Sequence, residues 1–567
     1  MKTKKTLIFS LTILFFVSLM VKSETSTEEY LAQNKSGFKF EISFQENAVS
    51  EVKEFALQVP ITGRVFVIIS RNKKNEPRFQ VSGAKGVPIW GKNVFSLKPG
   101  EVAIIDEGVF GYPLRSIKDI PPGEYYVQGL VNIYTEFKRS DGHTLWIHKD
   151  QWEGQKWNRS PGNIYSDVRK IYIDPSKKKA IKISCNNVIP PIEVPPDTEW
   201  VKRIKFQSKI LTEFWGQPMY LGAKILLPKG YDIHTDVYYP VEWIQDHFNH
   251  EAPHTFRSDL GSGNQHDRYG YESYKLWTSD EHQPRMISVR VQHPCPYYDD
   301  SYGVNSDNIG PYGDALMKEL IPYIEKKFRA IPEPWARVVE GGSTGGWTCL
   351  AQQIFYPDFY GGVFCLCPDP IDFRAYTAVN IYEDENAYYD EHEWVRTPRP
   401  GTRNILGEIN STLEQINHQE LALGINSRSG NQWDIWQAVF SPVGEDGYPK
   451  PIFDKMTGKI DYSVAEYWRE NYDLRYILER DWKKIGPKLV GKIHIYCGDM
   501  DSYYLNNAVY LMEEFLKGTN NPHYEGVVKY YDRKPHCWGP WGAELIKLVG
   551  EYFERNAPKG KKKKWIY

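Results

Sequence analysis

Cysteine, excess charge and repeated sequence are all scarce in these 567 residues. Only seven cysteines occur and none forms a C-x-x-C pair, so a disulfide scaffold does not hold the chain together. The formal net charge is −2, and the basic stripe typical of nucleic-acid-binding proteins is missing. No triplet or heptad period is visible, which excludes collagen-like and coiled-coil fibres.

Long apolar runs are scarce as well, and the only one lies near the N-terminus. Lys2, Lys4 and Lys5 precede an apolar stretch over residues 6–21, and Ser23 supplies a small residue for cleavage. Residues 1–23 are therefore predicted to be a secretory signal peptide. The stretch is too short for a membrane span, so we expect a secreted or periplasmic protein without stable membrane insertion.

Apolar residues make up 41% of the chain and aromatic residues 14%, which is enough for large cores. Alternating runs and Pro/Gly turns over 24–186 predict an N-terminal β-sandwich-like domain. Residues 187–197 hold four prolines within seven positions and read as a stiff linker. The last residues, 557–567, form a basic tail.

Strand and helix patterns alternate over 198–556, which predicts an α/β domain with a mostly parallel sheet flanked by helices. Residues 371–485 break this rhythm and are rich in tyrosine and tryptophan. A stretch this long is not a bare loop in a compact domain, so we expect a cap or insertion there. Its aromatic side chains either pack in a core or shape a binding pocket, and the pocket is the favoured expectation.

The segment Gly341-Gly-Ser343-Thr-Gly345 matches G-x-S-x-G and falls between a predicted strand (337–340) and a predicted helix (347–355). That motif places a serine on a sharp strand-to-helix turn, where side chains at the flanking glycines would crowd the backbone. Ser343 is therefore the candidate nucleophile, and the N–H of Thr344 is a candidate donor to an oxyanion.

A serine nucleophile needs a base, and in this type of fold an acid and then a histidine follow late strands. His536 follows the predicted strand 527–531 and is the candidate general base. Asp501, after the predicted strand 492–497, is the preferred acid because it stands three residues beyond a glycine. Asp499 is the alternative acid, and otherwise caps the turn.

These motifs resemble those of the esterase D-like family of putative esterases, α/β-hydrolases that include feruloyl esterases, S-formylglutathione hydrolases and enterochelin esterases. The resemblance rests on Gly341-Gly-Ser-Thr-Gly-Gly-Trp347, Gly498-Asp-Met-Asp501 and Pro535-His536, and it covers about 200–556 without the cap. It implies an α/β-hydrolase fold preceded by the β-sandwich-like domain, and ester hydrolysis with no cofactor and no metal.

One departure from the family concerns the second oxyanion donor. After the Tyr-Pro-Val strand the family typically reads Leu-Leu-His-Gly, whereas this chain reads Ile244-Gln-Asp-His-Phe248. The glycine is replaced by His247, so the donor is the backbone N–H of either His247 or Phe248. Any non-proline residue can donate from its backbone.

Three further groups of residues were weighed. A metal site is conceivable because three histidines and an aspartate lie close in sequence: Asp246, His247, His250 and His254. Acids near the upper edge of the sheet are expected to be solvated loop carboxylates: Asp299, Asp300 and Asp372. Four tryptophans of the N-terminal domain could either pack in its core or form a sugar-stacking platform: Trp90, Trp146, Trp152 and Trp157.

The sequence thus predicts a secreted serine esterase that acts on small-molecule or polysaccharide esters, with feruloyl or acetyl carbohydrate esters as the expected class. Alternatives are an exported serine peptidase or a siderophore esterase. An alternative of another class is a non-catalytic glycan-binding protein with a hydrolase-like shell. A nucleic-acid partner is not expected.

Overall fold

The computed structural model describes residues 37–281, 283–560 and 563–567. The predicted signal peptide lies outside the described residues. Within the described ranges, none of the helices combines the length and apolarity needed to cross a membrane.

Strands dominate the first part of the chain, which we call the N-terminal β region (residues 37–188). Its single α-helix of more than one turn is Val49–Glu54 (α1). Its strands are Lys39–Phe44 (β1), Ile61–Ser70 (β2), Ile89–Leu97 (β3), Ala103–Ile105 (β4), Gly111–Tyr112 (β5), Gly123–Lys138 (β6), Thr144–His148 (β7), Ile164–Tyr165 (β8), Arg169–Ile173 (β9), Ala180–Cys185 (β10) and Asn187–Val188 (β11).

These strands form two sheets that pack on one core. One sheet has the order β10-β1-β4, and the other has the order β11-β8-β6-β2-β3-β5, with β7 and β9 also paired to β6. Alternate residues of β1, such as Phe40 and Ile42, are buried against Val65 and Val67 of β2. The tryptophans do not make a common platform, because Trp90 and Trp152 are buried and the other two are half-buried.

The remaining chain, which we call the hydrolase region (residues 201–556), is built on an eight-stranded sheet of order β12-β13-β15-β14-β18-β19-β24-β25. From β15 to β25 all neighbours are parallel. The strands are Val201–Ser208 (β12), Met219–Leu226 (β13), Val241–Gln245 (β14), Ile287–Gln292 (β15), Asn305–Ser306 (β16), Gly310–Pro311 (β17), Arg337–Gly342 (β18), Gly362–Leu366 (β19), Tyr389–Glu391 (β20), Arg396–Pro398 (β21), Pro400–Arg403 (β22), Ile409–Thr412 (β23), Ile493–Gly498 (β24) and Val527–Tyr531 (β25).

Helices connect the parallel strands and cover the sheet. They are Lys209–Trp215 (α2), Gln265–Trp277 (α3), Tyr312–Ala315 (α4), Ile321–Lys327 (α5), Thr344–Phe355 (α6), Leu413–Leu423 (α7), Gln432–Phe440 (α8), Tyr462–Tyr472 (α9), Leu474–Leu489 (α10), Asn506–Gly518 (α11) and Ala543–Asn556 (α12). Between α4 and α5 the chain forms a π-helical segment, Leu316–Leu320, because Pro322 has no N–H to donate to the preceding turn.

Three helices, α7 to α9, lie within the stretch predicted to be a cap, 371–485, and α10 begins in it and ends at Leu489. Most of its aromatic side chains pack together, contrary to the expectation that they shape a pocket. Tyr376, Trp433, Trp436 and Trp468 are all buried, and their ring centroids lie 5.0–5.4 Å apart in edge-to-face pairs. These rings belong to the same buried hydrophobic cluster as the sheet of the hydrolase region, which is the ordinary use of large aromatic residues.

The N-terminal β region is joined to the hydrolase region by continuous packing. Phe137 and Ile147 belong to the same hydrophobic cluster as the hydrolase core, and the ring of Phe137 lies 5.2 Å from that of Trp215. On another face, Phe66 packs against Leu423 of α7. The two regions therefore share buried apolar surface on two sides.

Candidate active site

The G-x-S-x-G segment forms the turn between β18 and α6. Ser343 has φ 57° and ψ −120°, a strained conformation for a residue with a side chain. A Cβ on Gly345 would lie 2.0 Å from the carbonyl oxygen of Gln245, and one on Gly341 would lie 2.4 Å from that of Gly345. The two glycines therefore let β14 and α6 approach closely enough to hold Ser343 at the sheet's edge.

A continuous line of hydrogen bonds runs from Ser343 to a buried carboxylate. The Nε2 of His536 lies 2.9 Å from the Oγ of Ser343, and its Nδ1 lies 2.6 Å from Oδ2 of Asp501. His536 stands in the loop after β25 and Asp501 in the loop after β24. Because parallel strands end at the same edge, the two loops converge on the nucleophile.

The two candidate acids differ in what they contact. Asp501 is fully buried, and besides His536 its carboxylate accepts a 2.8 Å hydrogen bond from the N–H of Tyr503. Asp499 is half-buried and accepts from the backbone N–H of Arg533, so it braces the histidine loop instead. The structure thus brings Asp501, and not Asp499, to His536.

A thiol adjoins the histidine, which sequence reasoning did not single out. Sγ of Cys537, Sγ of Cys367 and a ring nitrogen of His536 lie within 4.8 Å of one another. Burial alone would lower the pKa of His536, but the sulfur of Cys537 and the carboxylate of Asp501 outweigh it and hold that pKa well above its usual value. The contact with Cys367 in turn lowers the pKa of Cys537 to about 6.

The candidate oxyanion donors are backbone N–H groups of two different elements. Thr344 is the first residue of α6, where N–H groups have no carbonyl partner within the helix. The N–H of His247 donates to the carboxylate of Asp246 at 2.7 Å, whereas the N–H of Phe248 has no acceptor among the described residues. The geometry therefore favours Phe248 over His247 as the second donor.

A polar network adjoins Ser343 from behind, that is, from residues that do not line the cavity in front of it. Asp369, shortly after β19, places Oδ1 3.5 Å from the Oγ of Ser343. Its Oδ2 accepts from the hydroxyl groups of Tyr302 (2.5 Å) and Thr344 (3.1 Å) and from Nε2 of Gln432 (3.0 Å) in the cap helix α8. Sequence reasoning missed Asp369. It follows β19, the neighbour of the strand that precedes Ser343, and that position could have indicated a residue close to the nucleophile.

On its other side Ser343 opens into a cavity of about 660 Å³. Every lining residue comes from 244–269, 290, 340–343 or 535–542, and none from 371–485. Tyr269, Trp538 and Trp541 give it an aromatic wall, while His247 and Arg290 add positive charge. The expectation that the cap shapes this pocket is therefore wrong. Gln432 and Trp436 of the cap helix α8 instead donate hydrogen bonds to Asp369, which does not line the cavity.

The N-terminal β region contacts the loop that carries Phe248. The rings of Trp152 and Phe248 meet edge-on with centroids 5.1 Å apart. Lys156 pairs with Asp299 at 2.8 Å, and Asp299 also holds Nδ1 of His247 at 3.0 Å. Burial opposes protonation of His247, but Asp299 raises its pKa to about 10.

Asp299, Asp300 and Asp372 are almost fully buried, so the expectation of solvated loop carboxylates is wrong. Asp299 is compensated by the two cations just described, and Asp372 by ion pairs with Arg374 and Arg475. Asp300 accepts a hydrogen bond from the N–H of Tyr302. Paired or hydrogen-bonded carboxylates tolerate burial, and spacing along the chain did not reveal these partners.

The three histidines weighed as metal ligands point to different partners. His247 contacts Asp299, His250 contacts the carbonyl of Trp152, and His254 contacts Glu242. They therefore do not form a common site with Asp246.

A mostly parallel sheet with a serine at a strand-to-helix turn, and an acid and a histidine beyond two later strands, defines an α/β hydrolase. The chain belongs to the esterase family described as "Putative esterase", whose model matches residues 220–552. Family membership makes it a hydrolase of the esterase type.

Several solved structures are similar to this chain. A ferulic acid esterase is 16% identical, with 62% of this chain and 98% of that chain covered and a TM-score of 0.35. An S-formylglutathione hydrolase from Agrobacterium tumefaciens is 14% identical, covering 64% and 98%, with a TM-score of 0.34. A ferulic acid esterase from Anaeromyces mucronatus, in complex with ferulic acid, is 14% identical, covering 65% and 94%, with a TM-score of 0.28. The comparison with curated proteins gives no significant match.

Proposed function

We propose that this protein hydrolyses carboxylic esters through an acyl-enzyme on Ser343. The Oγ of Ser343 attacks the ester carbonyl carbon while Nε2 of His536 takes the hydroxyl proton. Asp501 holds the imidazole in the required tautomer and stabilises the imidazolium. The carbonyl oxygen becomes an oxyanion that accepts from the N–H groups of Thr344 and Phe248, each donor being worth about 3 kcal/mol.

Collapse of this intermediate breaks the bond to the alcohol, and the imidazolium returns its proton to the leaving oxygen. Water then attacks the acyl-enzyme, with His536 again accepting a proton, and the acid is released as Ser343 regains its hydrogen. The unbroken hydrogen-bonded line Asp501–His536–Ser343 carries this proposal.

Hydrolysis of p-nitrophenyl acetate by residues 24–567 tests the proposal. The unaltered protein should show burst kinetics, whereas Ser343→Ala and His536→Ala should lose at least about 10³-fold in kcat. His523→Ala serves as the matched control, because that histidine contacts the carbonyl of Thr519 well away from the cavity. Equal activity of the unaltered and Ser343→Ala proteins would reject Ser343 as nucleophile.

The substrate class we propose is an aromatic acyl ester of a carbohydrate, of the feruloyl type. The cavity volume is typical of small-molecule sites, and the half-buried rings of Trp538 and Trp541 offer flat faces close to Ser343. Trp541 packs so closely on Gly342 that a Cβ there would lie 2.5 Å from the indole ring. An aromatic acid would therefore stack beside the nucleophile.

Comparison of methyl ferulate with methyl acetate tests this choice. The kcat/KM for the ferulate should be higher, and Trp541→Ala should lower it about tenfold while sparing the acetate. Trp394→Ala is the control, since that ring is exposed in the cap. Preference for acetyl-xylan, a siderophore ester or a peptide over aryl esters would reject the aromatic class, and glycan binding without turnover would reject hydrolysis.

Export is part of the same proposal, because polysaccharide esters lie outside the cell. The lysine-rich, apolar segment 1–23 supports it. N-terminal sequencing of protein recovered from the periplasm or medium should find a start at or near residue 24, and an intact Met1 would contradict cleavage.

A further inference from the structure

A second cluster of ionisable side chains lies on the floor of the cavity, apart from the catalytic groups. Glu242 on β14, Glu340 on β18 and His254 beyond β14 each present a ligand-type atom, and these atoms lie within 4.8 Å of one another. Nε2 of His254 is 2.7 Å from Oε2 of Glu242. The exposed fractions are 0% for Glu242, 2% for Glu340 and 7% for His254.

Sheet register explains how two carboxylates come together. Glu340 pairs with Ile244 on the adjacent strand, two residues after Glu242, so both glutamates face the same side of the sheet as diagonal neighbours. Like charges placed so close in a buried site repel each other strongly unless something neutralises them.

The hydrogen bonds of this cluster are incomplete. Oε2 of Glu242 accepts from Ser288, but Oε1 of Glu242 and Oε2 of Glu340 have no partner among the described residues. Arg290, which lines the same cavity, contacts Asp246 at 3.5 Å and Asn249 at 3.2 Å, and no hydrogen bond or ion pair joins it to either glutamate among the described residues. A buried carboxylate oxygen without a partner is costly, which points to a bound positive species.

Access and local backbone geometry fit an ion that enters from the cavity. Glu340 and His254 both line the 660 Å³ space in front of Ser343. His254 has φ 52° and ψ 25°, and the next residue, Thr255, also has positive φ. This left-handed pair turns the imidazole back onto Glu242, a strained arrangement of the kind found at functional sites.

We propose that Glu242, His254 and Glu340 bind one divalent transition-metal ion, for which Zn²⁺ is the best match. Two carboxylates and a neutral imidazole carry the −2 charge that a divalent ion cancels, and mixed oxygen and nitrogen donors suit zinc. Ser288 orients Glu242 as a supporting partner. Three protein ligands leave one coordination position, which faces the cavity.

Bonds of 2.0–2.1 Å in a tetrahedral shell place neighbouring ligand atoms about 3.3 Å apart. The 2.7 Å contact between His254 and Glu242 therefore has to open by about 0.6 Å when the ion binds. The proposal does not depend on ester hydrolysis, because none of the three ligands belongs to the Ser343–His536–Asp501 line.

The test is zinc titration of the full chain after chelator treatment, with calorimetry for affinity, elemental analysis for stoichiometry and thermal melting for stability. We expect one Zn²⁺ per chain, a raised Tm, and at least tenfold weaker binding in Glu340→Gln and His254→Ala. The control is His266→Ala, which removes an exposed imidazole at the same cavity, paired with Glu251 at 3.2 Å.

Absence of saturable zinc binding, or equal affinity in Glu340→Gln, would overturn the site, and a shared proton between the two glutamates would then account for the geometry. Tighter binding of Mg²⁺ or Ca²⁺ than of Zn²⁺ would overturn the class of ion. If the variants do not fold, anomalous diffraction at the zinc edge on the unaltered protein decides, because the ion must lie about 2 Å from the carboxylates.

Discussion

The two sides of Ser343 differ in almost every physical respect. In front, His536 and the aromatic wall face a cavity open to solvent. Behind, Asp369 accepts hydrogen bonds from Tyr302, Thr344 and Gln432 on one carboxylate. The reacting side is therefore able to admit substrate, while the rear side holds the strained turn in place.

The comparison also separates two aspartates near the same hydroxyl group. Asp501 lies beyond the histidine and can stabilise an imidazolium. Asp369 lies beside the serine itself, and burial raises its pKa despite the hydrogen bonds that it accepts from Tyr302 and Trp436. Under the proposed mechanism, Asp501 would act electrostatically on His536, whereas Asp369 would position the turn that carries Ser343.

The largest effect should come from the front side. Asp501→Asn should lower kcat for p-nitrophenyl acetate by about 10⁴-fold, because the amide favours the wrong tautomer of His536. Stopped-flow or long-time assays of a variant with an unchanged circular dichroism spectrum would measure it. Asp499→Asn is the matched control and should retain nearly full activity, so an equal loss in both variants would contradict the assignment.

On the rear side the effect should be smaller. Asp369→Asn keeps the shape but loses the charge that strengthens its hydrogen bonds, so we expect about a tenfold fall in kcat with KM unchanged. A fluorophosphonate probe should still label Ser343, at a lower rate. A loss as large as that of Asp501→Asn would mean that Asp369 takes part in the chemistry directly.

A still smaller effect should come from the N-terminal β region. Lys156→Met leaves buried Asp299 with only His247 as a charged partner, which loosens the loop carrying Phe248, and we expect about a fivefold fall in kcat/KM. Lys170→Met, which breaks an exposed pair with Glu124, should change nothing measurable. Identical results for the two lysine variants would show that the region does not support the oxyanion donor.

The smallest change should be a shift of the pH profile. Catalysis needs neutral His536, and the sulfur of Cys537 favours the protonated form. Cys537→Ser removes that influence, so the acid limb of kcat/KM should move to lower pH by about one unit. Profiles of the unaltered and variant proteins would measure the shift, and a limb that stays in place or moves upward would contradict the role given to the thiol.

The residues on the front side of the site could be predicted from the sequence, whereas those on the rear side could not. The spacing of Gly341, Ser343 and Gly345 predicts the turn because any side chain at those glycines would collide with backbone atoms. The positions of Asp501 and His536 follow from parallel strands ending at one edge. Asp369 was not predicted because its hydrogen-bond donors come from α8 and from a loop near β16. Contacts between residues so far apart in the chain leave no local sequence pattern.

The lack of a local pattern for distant contacts also explains why the packing of the cap could not be predicted from the sequence. Its tryptophans suggested a binding surface, but composition does not distinguish a packed aromatic core from an exposed one. Which face of each helix is buried depends on partners far away in the chain, as between Phe440 and Trp468, whose ring centroids lie 5.2 Å apart. The departure at His247 was visible from sequence, whereas its pairing with Asp299 and Lys156 was not.

The contact of Phe137 and Ile147 with the hydrolase core has a consequence for how the molecule can be divided. A cut in the proline-rich segment before residue 198 would separate the two regions. It would also remove the side chains of the N-terminal β region that complete the shared hydrophobic core. In the expressed hydrolase fragment, the apolar side chains of Trp215 and Leu423 would become exposed to solvent. Melting of the whole protein should accordingly be one cooperative event, and the catalytic half should not be a transplantable module.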